Sequence, residues 1–241
     1  MVLIYLISGI ITLAGGYIGM QRWFRFEKLN RSVLLNGGLL ILALFTLLML
    51  AREIGYFPQS VAAPLMMGIY NFLAGFFIGL AWRLMRLRKS SGNVLYMYRS
   101  FWVDHAPQLA SILILLFGLY RTSILVEQPV TGIRLTSGCS LIAFGLLGFT
   151  LRFVPEFRTR GILFLDRLTP WKHLLSWSWK SEEVISIEYL YTSQKQGRMI
   201  REFLTTVPAE DRRQVETILS SKMKEFSEER EKSLKEIINE E

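Results

Sequence analysis

Residues Val61 to Lys89 constrain this chain more than any other stretch. An apolar run, VAAPLMMGIYNFLAGFFIGLAW, gives way to a cationic block, RLMRLRK. The run exceeds the roughly 20 residues that an α-helix needs to cross a bilayer. Arg83, Arg86, Arg88 and Lys89 do not follow it into hydrocarbon, where each charge costs roughly 2.5–3.5 kcal/mol on insertion scales. They are read as membrane-interface contacts. A span that ends this way leaves its C-terminal end in the cytoplasm. That assignment fixes the side of every other loop.

Of the 241 residues, 51% are hydrophobic and 20% are charged, so the charge must be segregated from the spans. The apolar runs end near Val154, and the rest is rich in Lys, Arg, Glu and Asp. A net charge of +8 would suit a nucleic-acid partner. The excess cations flank apolar spans, however, where topology and anionic headgroups account for them. No nucleic-acid partner is expected; the lipid bilayer is, with a membrane or cytosolic protein or a second copy of the chain beside it. The one cysteine, Cys139, excludes an intrachain disulfide and a thiolate metal cluster. Two histidines far apart, His105 and His173, give no zinc-type ligand set, and no cofactor is expected.

Five spans are predicted: Val2 to Met20, Val33 to about Ala51, the Val61 run, Gln108 to Val126, and about Gly132 to Val154. No Lys or Arg precedes the first, as a signal peptide would require. Its cations follow instead (Arg22, Arg25, Lys28 and Arg31), the pattern of an uncleaved anchor with its N-terminus outside. Trp23, Phe24 and Phe26 among them suit an interfacial aromatic belt. With this topology the inner loops and the region after the last span carry twelve cations and the outer loops three. That is the direction of the positive-inside rule. The expectation is an α-helical polytopic bundle of five transmembrane helices, N-terminus out and C-terminus in, in the plasma (inner) membrane. Between spans three and four, the apolar residues 94, 95, 98, 101 and 102 fall at helical spacing. They predict a short amphipathic helix in the cytoplasmic interface, or else a loop packed under the bundle.

Small residues recur seven apart at Gly68 and Gly75, Ser111 and Gly118, and Gly138 and Gly145, and Gly75 and Gly79 form a GxxxG. Such spacing lets helix backbones approach, chiefly within the chain. Asn71, Thr46 and Ser111 are the candidates for interhelical polar contacts, with Ser137 and Ser140 behind them. No acidic residue or Lys lies deep in a span, which argues against a proton-coupled carrier.

From Arg160 the period changes. GILFLDRLTPW, LLSWSW, EVISIEYLYT and RMIREFLTTV alternate partially between turn residues and predict about four antiparallel strands. Ser193 to Gly197 reads as a hairpin loop. Pro208 opens a helix in which Val215, Ile218, Leu219 and Phe226 form one apolar stripe. A charged continuation carries a thinner stripe of Leu234, Ile237 and Ile238. The domain expectation is therefore a spanning domain over 1–155, a cytosolic α+β module over 156–226 and a charged helical tail over 227–241.

Residues Gly161, Ile162, Pro170, Trp171, Leu174, Trp177 and Trp179, then Pro208, Val215, Ile218 and Leu219, set a pattern of apolar and turn positions over 160–226. In this the segment resembles the C-terminal module of bacterial membrane proteins of uncharacterised function with a pleckstrin-homology-like domain. The resemblance implies a fold and no activity. Trp171 and Lys172 join the juxtamembrane arginines as candidate membrane-interface contacts.

The sequence has no GxxxxGK[ST], HExxH, GxSxG or CxxC motif. Asp104 and His105 are adjacent, and neighbours on a helix point apart, so they make a poor catalytic dyad. An enzyme is not expected. The expected role is a non-catalytic membrane scaffold, sensor or accessory subunit whose module mediates protein interaction or oligomerisation. A transporter or channel component, or a lipid-headgroup sensor, are the alternatives.

Overall fold

The computed structural model describes residues 2–21, 24, 26, 31–56, 58–124, 129–193 and 197–231. The chain divides into two compact units, Met1–Arg86 with Asp104–Leu151 and Leu87–Val103 with Arg152–Glu241. The second unit therefore takes in residues 87–103, which lie between two apolar helices in the sequence, besides the C-terminal region expected for it.

The first unit is built of helices α1 (Val2–Met20), α2 (Arg31–Glu53), α3 (Gln59–Ser90), α5 (Ala106–Arg121) and α6 (Gly132–Thr150), the last turn of α3 counting with the second unit. Three helices are long and apolar enough to cross a membrane by length and composition: Ser60–Ser90, Phe101–Arg121 and Gly132–Thr150. Leu6–Met20 and Leu35–Ala51 are shorter apolar helices. Unbroken Leu, Ile, Phe and Ala runs favour helix, the form that satisfies every backbone group internally where no water is at hand. Pro107 sits in the first turn of α5, where a missing N–H goes unnoticed. Thr131 caps α6, its side chain accepting from the Arg134 N–H. On α2, Leu39, Leu40, Leu42 and Leu47 are all exposed, a surface suited to hydrocarbon and not to water.

Helix contacts run through the small residues. A Cβ on Gly75 would fall inside the Thr12 carbonyl of α1, and one on Gly138 would lie 2.7 Å from the Thr122 N. Gly118 meets Ile142 N at 2.9 Å in the same test. Gly68 has only the Ile11 side chain at ordinary contact distance. Beyond the glycines, Leu80, Ala81, Leu84 and Leu147 bury one another, with Phe24, Phe26, Phe76 and Phe77 packed around them. Trp23 and its neighbouring cations Arg22, Arg25 and Lys28 lie outside the described residues.

The second unit holds seven strands among the described residues. β1 (Val94–Met97), β2 (Glu156–Arg158), β3 (Gly161–Phe164) and β4 (Arg167–Pro170) form one antiparallel sheet in that order. β5 (Leu174–Trp179), β6 (Val184–Ser193) and β7 (Gly197–Thr206) form the other. α7 (Arg212–Glu225) follows a 3-10 turn over Ala209–Asp211. Alternation drives the pairing: Trp177 and Phe203 both lie opposite Ile187, and Trp179 opposite Ile185. Ile185, Ile187, Leu174 and Trp171 are buried with Val215 and Leu219 of α7 and with Tyr96 of β1. One strand of this core thus comes from the stretch before α5.

Three strands escaped the sequence reading. β2 is three residues long and reads as the charged end of a span; β4 carries the turn-like RLTP. Residues 94–102 correct the amphipathic-helix expectation: they form β1, an irregular stretch and the one-turn helix α4 (Phe101–Asp104). Gly92, at φ 83°, is the reason α3 stops. In that left-handed conformation a glycine closes a helix without strain, and VLYM emerges extended. Residues 227–231 continue helical, whereas the Leu234, Ile237 and Ile238 stripe and loop positions 194–196 lie outside the described residues.

The glycine contacts predict unequal tolerance. Gly75→Leu should lower the thermal stability of the detergent-solubilised chain, at about 1–3 kcal/mol for overpacking. Gly37→Leu, with nothing within 4 Å of its Cβ, should leave the melt unchanged.

Candidate functional site

The last carbonyls of any α-helix lack intrahelical partners, and in α3 they meet arginines from β2 and the turn after it. Arg158 Nη1 donates to Arg88 O at 2.9 Å and to Gly92 O at 2.7 Å. Arg160 Nη1 donates to Ser90 O at 2.9 Å. Cations at a helix C-terminus also complement its dipole. The rest of the Arg158 guanidinium holds Glu156: Nε donates to Oε2 at 2.7 Å, and Nη2 forms an ion pair with the same oxygen. Glu156 is buried, and Arg88 Nε stands 3.5 Å from its other oxygen. Behind this clamp the Trp171 indole N–H donates to Arg158 O and Thr159 O. The Thr159 N–H donates to Asn93 O, so the β2–β3 turn grips the start of β1. The carboxylate thus faces two guanidinium groups, one at each oxygen.

Beside the clamp the same segment lines a groove. β1 is the edge of its sheet, and between it and the start of α7 lies a space of about 400 Å³. Leu95, Tyr96 and Met97 line it from one side, Asp211 and Gln214 from the other, and Arg99 contributes a cation. The Tyr96 hydroxyl donates to Asp211 Oδ2 at 3.1 Å. Burial pushes the Tyr96 phenol well above its ordinary range, and the hydrogen bond and charge of Asp211 push it the same way. A phenol tied to a carboxylate thus lines the groove. Among the described residues no group of three or more His, Cys, Asp or Glu is placed to hold a metal.

The residues singled out from sequence do not converge on one site. Arg83 donates to Gln21 O and Phe24 O, closing the chain after α1. Arg86, Lys89 and Lys172 are exposed, and Arg88 belongs to the clamp. Trp171, expected at the membrane interface, is only 3% exposed and sits in the core of the strand-rich unit. Its ring packs on Phe157, which leaves no face for lipid. Thr46 donates to Leu42 O and Ser111 to Pro107 O, each within its own helix. Asn71 Nδ2 is buried without a hydrogen-bond partner. Sequence reasoning passed over Glu156, Arg158, Tyr96 and Asp211. Arg158 counted only as a topological cation, and nothing in the sequence ties residue 94 to residue 158.

Residues 153–224 match the family model described as Domain of unknown function (DUF5673). That domain covers β2 to β7 and most of α7, and stops short of β1 and of α1 to α6. No curated protein and no solved structure matches the chain.

Two outcomes follow from this geometry. Arg158→Leu leaves Glu156 buried with a weaker partner and should destabilise the strand-rich unit by about 3 kcal/mol or more, read from tryptophan emission during urea unfolding. Replacing both residues, Glu156→Leu with Arg158→Leu, should recover part of that loss. Tyr96 gives a pH signature. Below the ordinary tyrosine value near 10 the folded and unfolded chains both keep the proton. Above it the unfolded chain releases the proton while the fold retains it, so stability falls as pH rises. Tyr96→Phe should flatten that alkaline decline in melting temperature.

Proposed function

We propose that this chain is a non-catalytic integral membrane scaffold, sensor or accessory subunit whose strand-rich unit mediates protein interaction or oligomerisation. One observation carries the reading: that unit is assembled from Leu87–Val103 and from the region after Arg152, with α5 and α6 between them in the sequence. A unit built this way is tied to the apolar helices by three chain connections, which suits a fixed platform. The groove beside β1 supplies a surface for a partner, and its Tyr96–Asp211 pair offers hydrogen bonding rather than chemistry.

The topology proposed with it is five spans, N-terminus out and C-terminus in, in the plasma (inner) membrane, with the strand-rich unit in the cytoplasm. The excess of cations on the inner loops supports it. Parity supports it too. Two stretches that share one sheet lie on the same side of a membrane, so the chain between them crosses an even number of times, as α5 and α6 would. Seven strands in sheets of four and three, followed by a helix, support a pleckstrin-homology-like reading of the unit. A transporter draws less support, because Thr46 and Ser111 each donate within their own helix. Lipid-headgroup sensing would use the exposed Lys89 and Lys172.

Cysteine labelling tests the topology and co-purification tests the role. In a Cys139→Ser background, Pro129→Cys should react with a membrane-impermeant maleimide on intact cells, and Lys172→Cys only after permeabilisation. Labelling of Lys172→Cys on intact cells would overturn the orientation. Gentle detergent extraction of the tagged full chain should bring down a protein in fixed stoichiometry or a homo-oligomer of defined mass. A bare monomer would count against the scaffold role.

A further inference from the structure

The strand-rich unit exposes its largest rings where the chain leaves it. Phe101 and Trp102 make up half of the one-turn helix α4 and are 60% and 76% exposed. Their rings meet edge to face, with centroids 5.7 Å apart, so they present one shared apolar surface. The unit ends at Val103 on this connection, and α5 begins at Ala106. On the other connection the unit resumes at Arg152, and Phe153 is again exposed, at 61%. The unit's own core does not need these rings, since Tyr96, Phe157 and Trp171 fill it.

Large exposed rings in water are unfavourable, and a lipid interface is where they become favourable. Indole in particular combines an apolar body with an N–H donor and partitions to headgroup level. Exposed Arg99 lies just before the pair in sequence, and Arg152 just before Phe153. Cations so placed complement phosphate headgroups. By contrast Ile200 and Leu204, also exposed on β7, lie far in sequence from any apolar helix.

We propose that Phe101, Trp102 and Phe153 are the points at which the strand-rich unit seats itself on a lipid surface, their rings lying at headgroup depth. The unit is then held at the bilayer by its own aromatic contacts as well as by its connections. This rests on the reading that α5 and α6 cross the membrane, and is independent of the scaffold role.

Site-directed spin labelling of the full chain in phosphatidylcholine–phosphatidylglycerol vesicles tests it. Labels go on Trp102→Cys, Phe153→Cys, Ile200→Cys and Leu116→Cys, each in a Cys139→Ser background. All four positions are exposed, so the fold tolerates them. Collision with dissolved oxygen rises with membrane depth, and collision with a water-soluble nickel chelate falls. Labels at 102 and 153 should shift to depths between the aqueous value at 200 and the deep value at 116. If 116 reads deep while 102 and 153 match 200, the lipid seat is overturned and the spanning reading stands. If 116 itself reads aqueous, the spanning reading fails first. Immobile labels at 102 and 153, shielded from both reagents, would mean that protein covers the rings, which also overturns the proposal.

Discussion

A single guanidinium, that of Arg158, joins pieces of chain that the sequence keeps far apart. It donates to the carbonyls of Arg88 and Gly92 at the end of α3 and holds Glu156 of its own strand. Removing such a group would leave orphan helix carbonyls and a buried carboxylate together, each a cost the fold cannot readily hide. The turn at Gly92, the start of β1 and the pairing of β1 with β2 all depend on where this side chain lies. The Trp171 indole behind it fixes the backbone that carries it. Four kinds of interaction thus meet at one point: helix capping, an ion pair, a strand register and an aromatic core.

Glu156 is engaged by arginine, and Tyr96 is a neutral phenol bound to Asp211. The groove that Tyr96 and Asp211 line is partly open, polar and flanked by a strand edge. On the first unit, close helix approach at Gly75, Gly118 and Gly138 supplies cohesion that lipid itself does not.

Much of the helical part was legible because apolar length is a strong signal, and because small residues at fixed spacing have few other uses in lipid. The β-module was legible where strands alternate over several residues, as in SWSW and SIEYLYT, and where Val215 and Leu219 repeat at helical spacing. β1 was not. Leu95, Tyr98, Phe101 and Trp102 fit a helix face as well as they fit a broken strand, and only pairing with residues 156–158 decides between them. The clamp was illegible for the same reason: two of its partners are backbone carbonyls, of Arg88 and Gly92, some seventy residues earlier in the chain. Trp171 shows the converse error. An aromatic beside a lysine suggests an interface, yet the residue's hydrogen bonds and packing place it inside.

The pairing of β1 with β2 also sets an order of events during synthesis. Val94 lies opposite Arg158, so β1 is made long before its neighbour. At about 5–20 residues per second, the wait is several seconds. In that interval Tyr96 has no core to enter and the last carbonyls of α3 lack Arg158, while the ribosome delivers the two helices that separate the strands. The strand-rich unit therefore closes only after the α5–α6 hairpin has been made. A fragment cut to residues 153–224 would keep the recognisable domain and lose a strand, exposing the edge of β2 and opening a hole where Tyr96 belongs.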